Sequence, residues 1–242
     1  MIADNVARVR ERIHRAAARA GRDPGSVRLV AVTKTMPAAT VAEGVKAGLR
    51  LFGENRVQEA RDKIPAVAAA AATALSDVEG SDVEGLEWHL IGHLQSNKAA
   101  VAARFFDAVQ TVDSLSLAQR LDAAAAARQA PLQVLVQVRT SDEESKSGVA
   151  PGDLRALAEG VAQLPHLRLT GLMTIPAPVE RAEDARGAFA SLAELASKAA
   201  SWRLPGVTMR ELSMGMSDDF EVAIEEGATL VRVGRALFGE RT

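Results

Sequence analysis

The chain has 242 residues, 48% hydrophobic and 25% charged, with a formal net charge of −2. That is enough apolar material for a large core in one domain spanning 1–242, and the near-neutral balance supplies no net basic field to draw the chain to nucleic acid or to an anionic membrane. The absence of cysteine excludes disulfides and thiolate metal sites, and the absence of tyrosine excludes a tyrosine acid or base.

The opening 1–21 reads as an amphipathic helix. Val6, Val9, Ile13, Ala16 and Ala20 recur at spacings of three and four with arginines between them. Asp4 favours its start, and Gly21 followed by Asp23-Pro24 its stop. No signal-like segment precedes it and no apolar run approaches membrane-spanning length, so a reducing cytoplasm is the expected compartment.

From there short apolar runs alternate with helical stretches. Strands are predicted over 29–33, 49–52, 86–91, 108–112, 132–138, 167–173, 209–213 and 229–233, and helices near 38–48, 55–72, 96–104, 114–128, 151–163, 182–201 and 217–226. Many of the strand runs are apolar throughout, as expected when both faces are covered. Strand–helix alternation predicts a parallel sheet. Eight units in this length predict an α/β fold of the (β/α)8 TIM-barrel type with an extra N-terminal helix; a doubly wound open sheet is the alternative. Segment 65–85 interrupts the pattern with an alanine-rich run, then Ser76-Asp77-Val78-Glu79-Gly80 repeated at once as Ser81-Asp82-Val83-Glu84-Gly85. Five residues are too few for a structural repeat, and a flexible, solvated loop is expected over 65–85.

Active sites of such barrels lie at the C-terminal ends of the strands. The first strand ends in Val30-Ala31-Val32-Thr33-Lys34. Desolvation lowers a lysine's pKa and makes it the nucleophilic amine that Schiff-base chemistry needs; the plainer reading is a lysine snorkelling out of the barrel mouth. The seventh strand runs into Ser213-Met214-Gly215-Met216-Ser217 and the eighth into Arg232-Val233-Gly234-Arg235. Loops after strands seven and eight recurrently bind phosphate in these barrels, and Ser213, Gly215, Ser217 and Gly234 have the small size and hydroxyls for it. Alternatively Ser217 caps the helix that follows, with Asp218 and Asp219 as first-turn residues that repel a phosphate unless they point away. Arg232, between Val231 and Val233, needs a partner for a strand guanidinium: a barrel carboxylate, or the pyridine nitrogen of a pyridoxal cofactor. Asn55, followed by Gln58 three residues on, reads first as an N-cap. His89 reads as a hydrogen-bonded core histidine, and the four histidines show no metal-ligand spacing. Neither a dinucleotide fingerprint nor a phosphate-binding G-x-x-x-x-G-K-[ST] segment is present.

Taken together, Val32-Thr33-Lys34-Thr35, Phe52-Gly53-Glu54-Asn55-Arg56-Val57-Gln58-Glu59, Trp88-His89-Leu90-Ile91-Gly92-His93-Leu94-Gln95-Ser96-Asn97-Lys98, Ser145-Lys146-Ser147-Gly148, Gly171-Leu172-Met173-Thr174-Ile175-Pro176, Leu212-Ser213-Met214-Gly215-Met216-Ser217-Asp218-Asp219 and Arg232-Val233-Gly234-Arg235-Ala236-Leu237-Phe238-Gly239 resemble the pyridoxal phosphate homeostasis protein family (the YggS/PROSC family). Any one segment is weak; seven in the family's order, over nearly the whole chain, are specific. The resemblance implies a barrel like the N-terminal domain of alanine racemase. It implies pyridoxal 5′-phosphate (PLP) held as a Schiff base on Lys34, its phosphate on the segment Ser213, Gly215, Met216, Ser217 with Gly234 and Arg235, Arg232 facing the pyridine nitrogen, Asn55 beside the ring, and Lys146 at the open face. This sequence departs from the common pattern at Met36, where many members carry a second lysine, at Arg235, where many carry threonine or serine, and at Arg139, where many carry asparagine.

The resemblance implies a protein that buffers or carries PLP, possessing no dedicated substrate and acting as a monomer, with PLP-dependent apo-enzymes as its partners. A small amino-acid racemase is the alternative. Racemases of the related fold pair their lysine with a tyrosine, which this chain lacks, and an arginine on the ring nitrogen disfavours its protonation and weakens the ring as an electron sink. A third reading is a barrel that has lost its cofactor and serves as a scaffold.

Overall fold

In a computed structural model of the chain, described over residues 1–75, 85–140 and 147–239, eight parallel strands close into a barrel in the order β1 to β8. They are β1 (Arg28–Val32), β2 (Leu51–Glu54), β3 (Glu87–Leu90), β4 (Ala108–Val112), β5 (Leu132–Gln137), β6 (Leu167–Met173), β7 (Val207–Ser213) and β8 (Leu230–Val233). The helices are α1 (Ile2–Arg19), α2 (Ala38–Lys46), α3 (Val57–Leu75), α4 (Ala99–Phe105), α5 (Leu115–Ala125), α6 (Leu154–Ala162), α7 (Arg186–Ser201), α8 (Phe220–Glu225) and α9 (Arg235–Phe238). The closed barrel, not the open sheet, is the fold. Strand boundaries agree with the sequence pattern to within two residues at every end; α9 is an addition, since its four residues are too few to show a period.

Side chains alternate along each strand. On β1, Ala31 joins the layer between sheet and helices, whereas Val30 points inward and meets Leu51, Leu135, Met173 and Leu230 in a small apolar cluster inside the barrel. Close strand approach needs glycine at one place above all: a Cβ on Gly171 of β6 would stand 1.8 Å from the Glu211 carbonyl oxygen of β7.

Helix α1 ends as its sequence predicts. Gly21 takes φ +65, Arg22 N–H bonds the Ala17 carbonyl and Gly21 N–H bonds that of Ala18, the paired bonds of a Schellman cap. Its Val6, Val9 and Ile13 are buried, while Arg12 lies over the Phe220 ring and Asn5 donates to the Leu237 carbonyl, tying α1 to α8 and α9.

The expected loop over 65–85 is corrected in its first half. Helix α3 runs through Pro65 to Leu75. Alanine has the highest helix propensity, and Val67 and Ala71 are fully buried; that packing offsets the proline, which costs a helix about 3 kcal/mol. All of the tandem repeat except Gly85 lies outside the described residues, as does Lys146.

Candidate functional site

A cavity of about 260 Å³ opens among the loops that follow the strands, lined by Val32, Lys34, Asn55, Ile91, Ile175, Met216, Ser217, Asp218, Arg232, Gly234 and Arg235. Its walls therefore come from the ends of β1, β2, β3, β6, β7 and β8. Seven of the nine residues singled out as cofactor ligands are brought together here; Ser213 and Gly215 are not in the lining.

Lys34 stands at the second position of a tight turn closed by Met36 N–H on the Thr33 carbonyl at 2.9 Å. The third position, Thr35, takes φ +65, where a β-branched residue is strained. A clasp outside the barrel holds both flanks. Lys63, from α3, donates to the Thr33 carbonyl at 2.7 Å, to Glu54 Oε1 at 2.8 Å and to Glu59 Oε1 at 2.5 Å. Glu59 Oε1 also accepts Thr35 N–H at 2.6 Å, and Thr33 Oγ1 donates to Glu54 Oε1 at 2.6 Å. Glu54 and Thr33 are fully buried and Lys63 nearly so. Burial pushes the Glu54 carboxyl above its usual range, against the opposing bonds from Lys63 and Thr33. One glutamate oxygen, Glu54 Oε2, is buried with no hydrogen-bond partner among the described residues. The clasp fixes the backbone on each side of Lys34 and leaves its side chain, half-buried, at the cavity.

Asn55 is not an N-cap. Helix α3 starts at Val57, and the first helical bond, from Ala60 N–H, goes to the Arg56 carbonyl. Asn55 sits one residue earlier and lines the cavity. Its place is set by Gly92, where a Cβ would stand 2.3 Å from the Asn55 carbonyl oxygen: the glycine after β3 lets the loop after β2 lie against it.

On β8, the neighbour of β1, Arg232 is 3% exposed. Its partner is neither a carboxylate in direct contact nor solvent. Nη1 donates to Ser213 Oγ at 2.7 Å and Nη2 to the Thr174 carbonyl at 2.8 Å. Burial pulls the guanidinium down to about 10, partly offset by the Asp219 carboxylate nearby, so it stays charged at neutral pH. Asp219 in turn accepts Met216 N–H at 2.6 Å, and its carboxyl is raised by burial. It thus turns back into its own loop. Asp218 lines the cavity and pairs with Arg235. Ser217 does not cap a helix, since α8 begins at Phe220 with Asp219 as its N-cap; its Oγ lies 3.4 Å from Gly234 N and accepts from it, linking the loops after β7 and β8. Gly215 is required by packing: φ is +88, and a Cβ would stand 2.6 Å from Ala223 Cβ and 2.8 Å from Phe220 Cα.

Ser213 departs from its expected place. Fully buried, it lies beneath Arg232, with its hydroxyl bonded to Gln110. His89 is a hydrogen-bonded interior residue, 2% exposed and absent from the cavity lining. Sequence reasoning missed Gln110, Glu54, Glu59 and Lys63. The only signal was polar side chains in apolar surroundings: Gln110 inside Ala108–Val112, and Glu54 closing β2. No group of three or more histidine, aspartate or glutamate side chains that could hold a metal ion occurs among the described residues.

A family profile described as "Alanine racemase, N-terminal domain" matches residues 5–242. The chain is 50% identical over 240 residues to the pyridoxal phosphate homeostasis protein of Pseudomonas aeruginosa, covering 99% of this chain and 96% of that one. It is 47% identical over 244 residues to the protein of that name from Escherichia coli, covering 99% and 97%. Among solved structures it is similar to PipY of Synechococcus elongatus with PLP bound, at 38% identity and TM-score 0.77 over 99% of this chain and 100% of that one. Alanine racemase from Corynebacterium glutamicum, at 17% identity and TM-score 0.64 over 99% of this chain and 62% of that one, shares the fold. A profile matched from residue 5 to the end and relatives of about half identity along their whole length make this chain a member of the pyridoxal phosphate homeostasis protein family, built on the alanine racemase N-terminal domain.

Proposed function

We propose that the chain binds PLP as a Schiff base on Lys34 and serves PLP homeostasis, buffering or carrying the cofactor in the cytoplasm as a monomer and releasing it to apo-enzymes. The observation that carries this reading is that Lys34 and the buried Arg232 line one cavity of about 260 Å³. The donor set fits the group: an amine for an aldehyde, a guanidinium able only to donate for an unprotonated ring nitrogen, and the joined loops after β7 and β8 for a phosphate. When bound, PLP supplies an aldehyde carbon to the amine and an electron-withdrawing ring.

The protein's own residues do the rest. The Glu54–Lys63–Glu59 clasp orients the Lys34 turn. Arg232 presents donors to the ring edge, Asn55 borders the ring, and Met216, Ser217, Gly234 and Arg235 surround the phosphate. The relatives from Pseudomonas aeruginosa and Escherichia coli are named homeostasis proteins, and PipY has PLP bound in its crystal structure. The carrier reading is favoured over a racemase because the chain has no tyrosine and because Arg232 disfavours a protonated ring nitrogen.

The test is borohydride reduction of the PLP-loaded protein followed by peptide mapping. The pyridoxyl label is expected on Lys34 and absent in Lys34→Ala; a label on another lysine sinks the site. Racemization at ordinary enzymatic rates that disappears in Lys34→Ala would overturn the carrier reading.

A further inference from the structure

The barrel interior is not wholly apolar. A line of side-chain hydrogen bonds crosses it from the cavity to the opposite end. Arg232 Nη1 donates to Ser213 Oγ at 2.7 Å. Ser213 Oγ donates to Gln110 Oε1 at 2.5 Å. Gln110 Nε2 meets His89 Nδ1 at 2.7 Å, and His89 Nε2 meets Glu87 Oε1 at 2.6 Å. Glu87, the first residue of β3, pairs through its other oxygen with Arg28, the first residue of β1. Ser213, Gln110 and His89 are all buried.

With a single proton on the His89 ring, the polarity of the line is fixed at both ends. A guanidinium cannot accept, so Ser213 must accept from it and has one proton left to give. That proton goes to the Gln110 carbonyl oxygen, which turns the amide NH2 toward His89. His89 Nδ1 must then be the acceptor, so the ring proton is on Nε2 and is donated to Glu87. At the far end burial raises the Glu87 carboxyl, but the bonds and positive charge of His89 and Arg28 outweigh it and hold it below its usual range, so it is an anion that can only accept. Every donor points from Arg232 toward Glu87. With that single ring proton, turning Gln110 around would set two acceptors face to face at one of the His89 nitrogens in a dry interior.

We propose that Glu87, His89, Gln110 and Ser213 are positioning residues for Arg232. They fix which of its N–H groups face the barrel and which face the cavity, and they carry the pull of a carboxylate at the barrel floor to the cofactor-binding mouth. The link to PLP rests on the reading of the cavity given above; the line itself does not. Glu87 does not line the cavity, so an effect of Glu87 on the mouth is an indirect one.

The experiment uses the full chain and two variants, Glu87→Gln and Gln110→Met. In cofactor-free protein, exchange of the Arg232 guanidinium protons is followed by nitrogen-15 NMR, the signal being assigned with Arg232→Lys. In parallel, PLP affinity is titrated by absorbance. Exchange is expected to accelerate about tenfold in Glu87→Gln and more in Gln110→Met, the scale of one buried hydrogen bond. PLP affinity is expected to fall by about threefold to tenfold in the same order. Should Gln110→Met fail to fold, the near-isosteric Glu87→Gln decides alone. Unchanged exchange in a folded Glu87→Gln overturns the proposal. Faster exchange with unchanged affinity overturns its link to the cofactor mouth. If the unsubstituted protein takes no PLP on Lys34 while exchange still responds to Glu87, the positioning line stands and the proposed function falls.

Discussion

Lys34 and Arg232, which line the cavity from the neighbouring strands β1 and β8, are held in opposite ways. Lys34 lies in a strained turn beyond the end of β1, and it is held through its neighbours' backbone: the Thr33 carbonyl and the Thr35 N–H are both gripped from α3. Its own side chain stays half-buried. Arg232 lies within β8, is held by its own guanidinium, and is buried. The difference follows from what each is proposed to do. An amine that must form and release a covalent bond needs a fixed root. A guanidinium that recognises a ring edge needs a fixed tip, and a strand interior with a polar line beneath it supplies one.

Breaking the clasp should have the largest effect. Lys63→Met leaves the fully buried Glu54 without its cation, a loss of about 3–5 kcal/mol for an uncompensated buried charge. Urea denaturation at about pH 8 would measure it. The pH dependence has a definite sign. Burial raises Glu54 in the folded state, so the folded protein holds a proton at pH values where the unfolded chain has lost it. Stability therefore rises as pH falls from above the raised value toward the ordinary carboxylate range. Removal of Lys63 raises Glu54 further, so the deficit should shrink on acidification. A deficit equal at about pH 8 and about pH 5.5 would contradict this account of the clasp.

Arg232→Met sharpens the contrast at a comparable scale. It leaves Ser213 Oγ and the Thr174 carbonyl without their donor, at about 1–3 kcal/mol for each buried group. PLP should be held more weakly, but the borohydride label should still fall on Lys34, because the clasp is untouched. Loss of the label with retained stability would mean that Arg232, not the clasp, orients the amine.

The sequence carried the frame of this site better than its supports. Strand–helix alternation predicts the barrel and brings Lys34, Asn55, Met216, Ser217, Arg232, Gly234 and Arg235 to one mouth. Local rules failed where tertiary contacts decide. Asn55 and Ser217 have good cap chemistry, yet each helix starts two or three residues later, because the loops between are taken up by the cavity wall. Ser213 has phosphate chemistry but points into the barrel, a consequence of strand alternation that its sequence neighbourhood did not weigh. The alanine-rich run after Pro65 fell under two patterns, the helix over 55–72 and the loop over 65–85, and burial of Val67 and Ala71 decides for helix through Leu75. Gln110 and Lys63 act at a distance in sequence, with partners 103 and 30 residues away, and no local pattern reports such pairs.

The smallest effect is expected at the rim. Arg235 and Asp218 both line the cavity and pair with each other, their side chains 55% and 78% exposed. A phosphate seated on the loops after β7 and β8 would be attracted by Arg235 and repelled by Asp218, and it would compete with Asp218 for the guanidinium. Exposed pairs are weak and screened by salt. Asp218→Asn should therefore tighten PLP binding only about two- to fivefold, on the scale of an exposed ion pair. The gain should shrink as ionic strength rises, because neither partner is buried. Titration of PLP at low and high salt separates the two roles open to Asp218. Tighter binding that fades with salt means the carboxylate competes with the phosphate. Weaker binding means that it steers Arg235 toward the phosphate, so that the rim, like the clasp and the interior line, works by holding one charge in place with another.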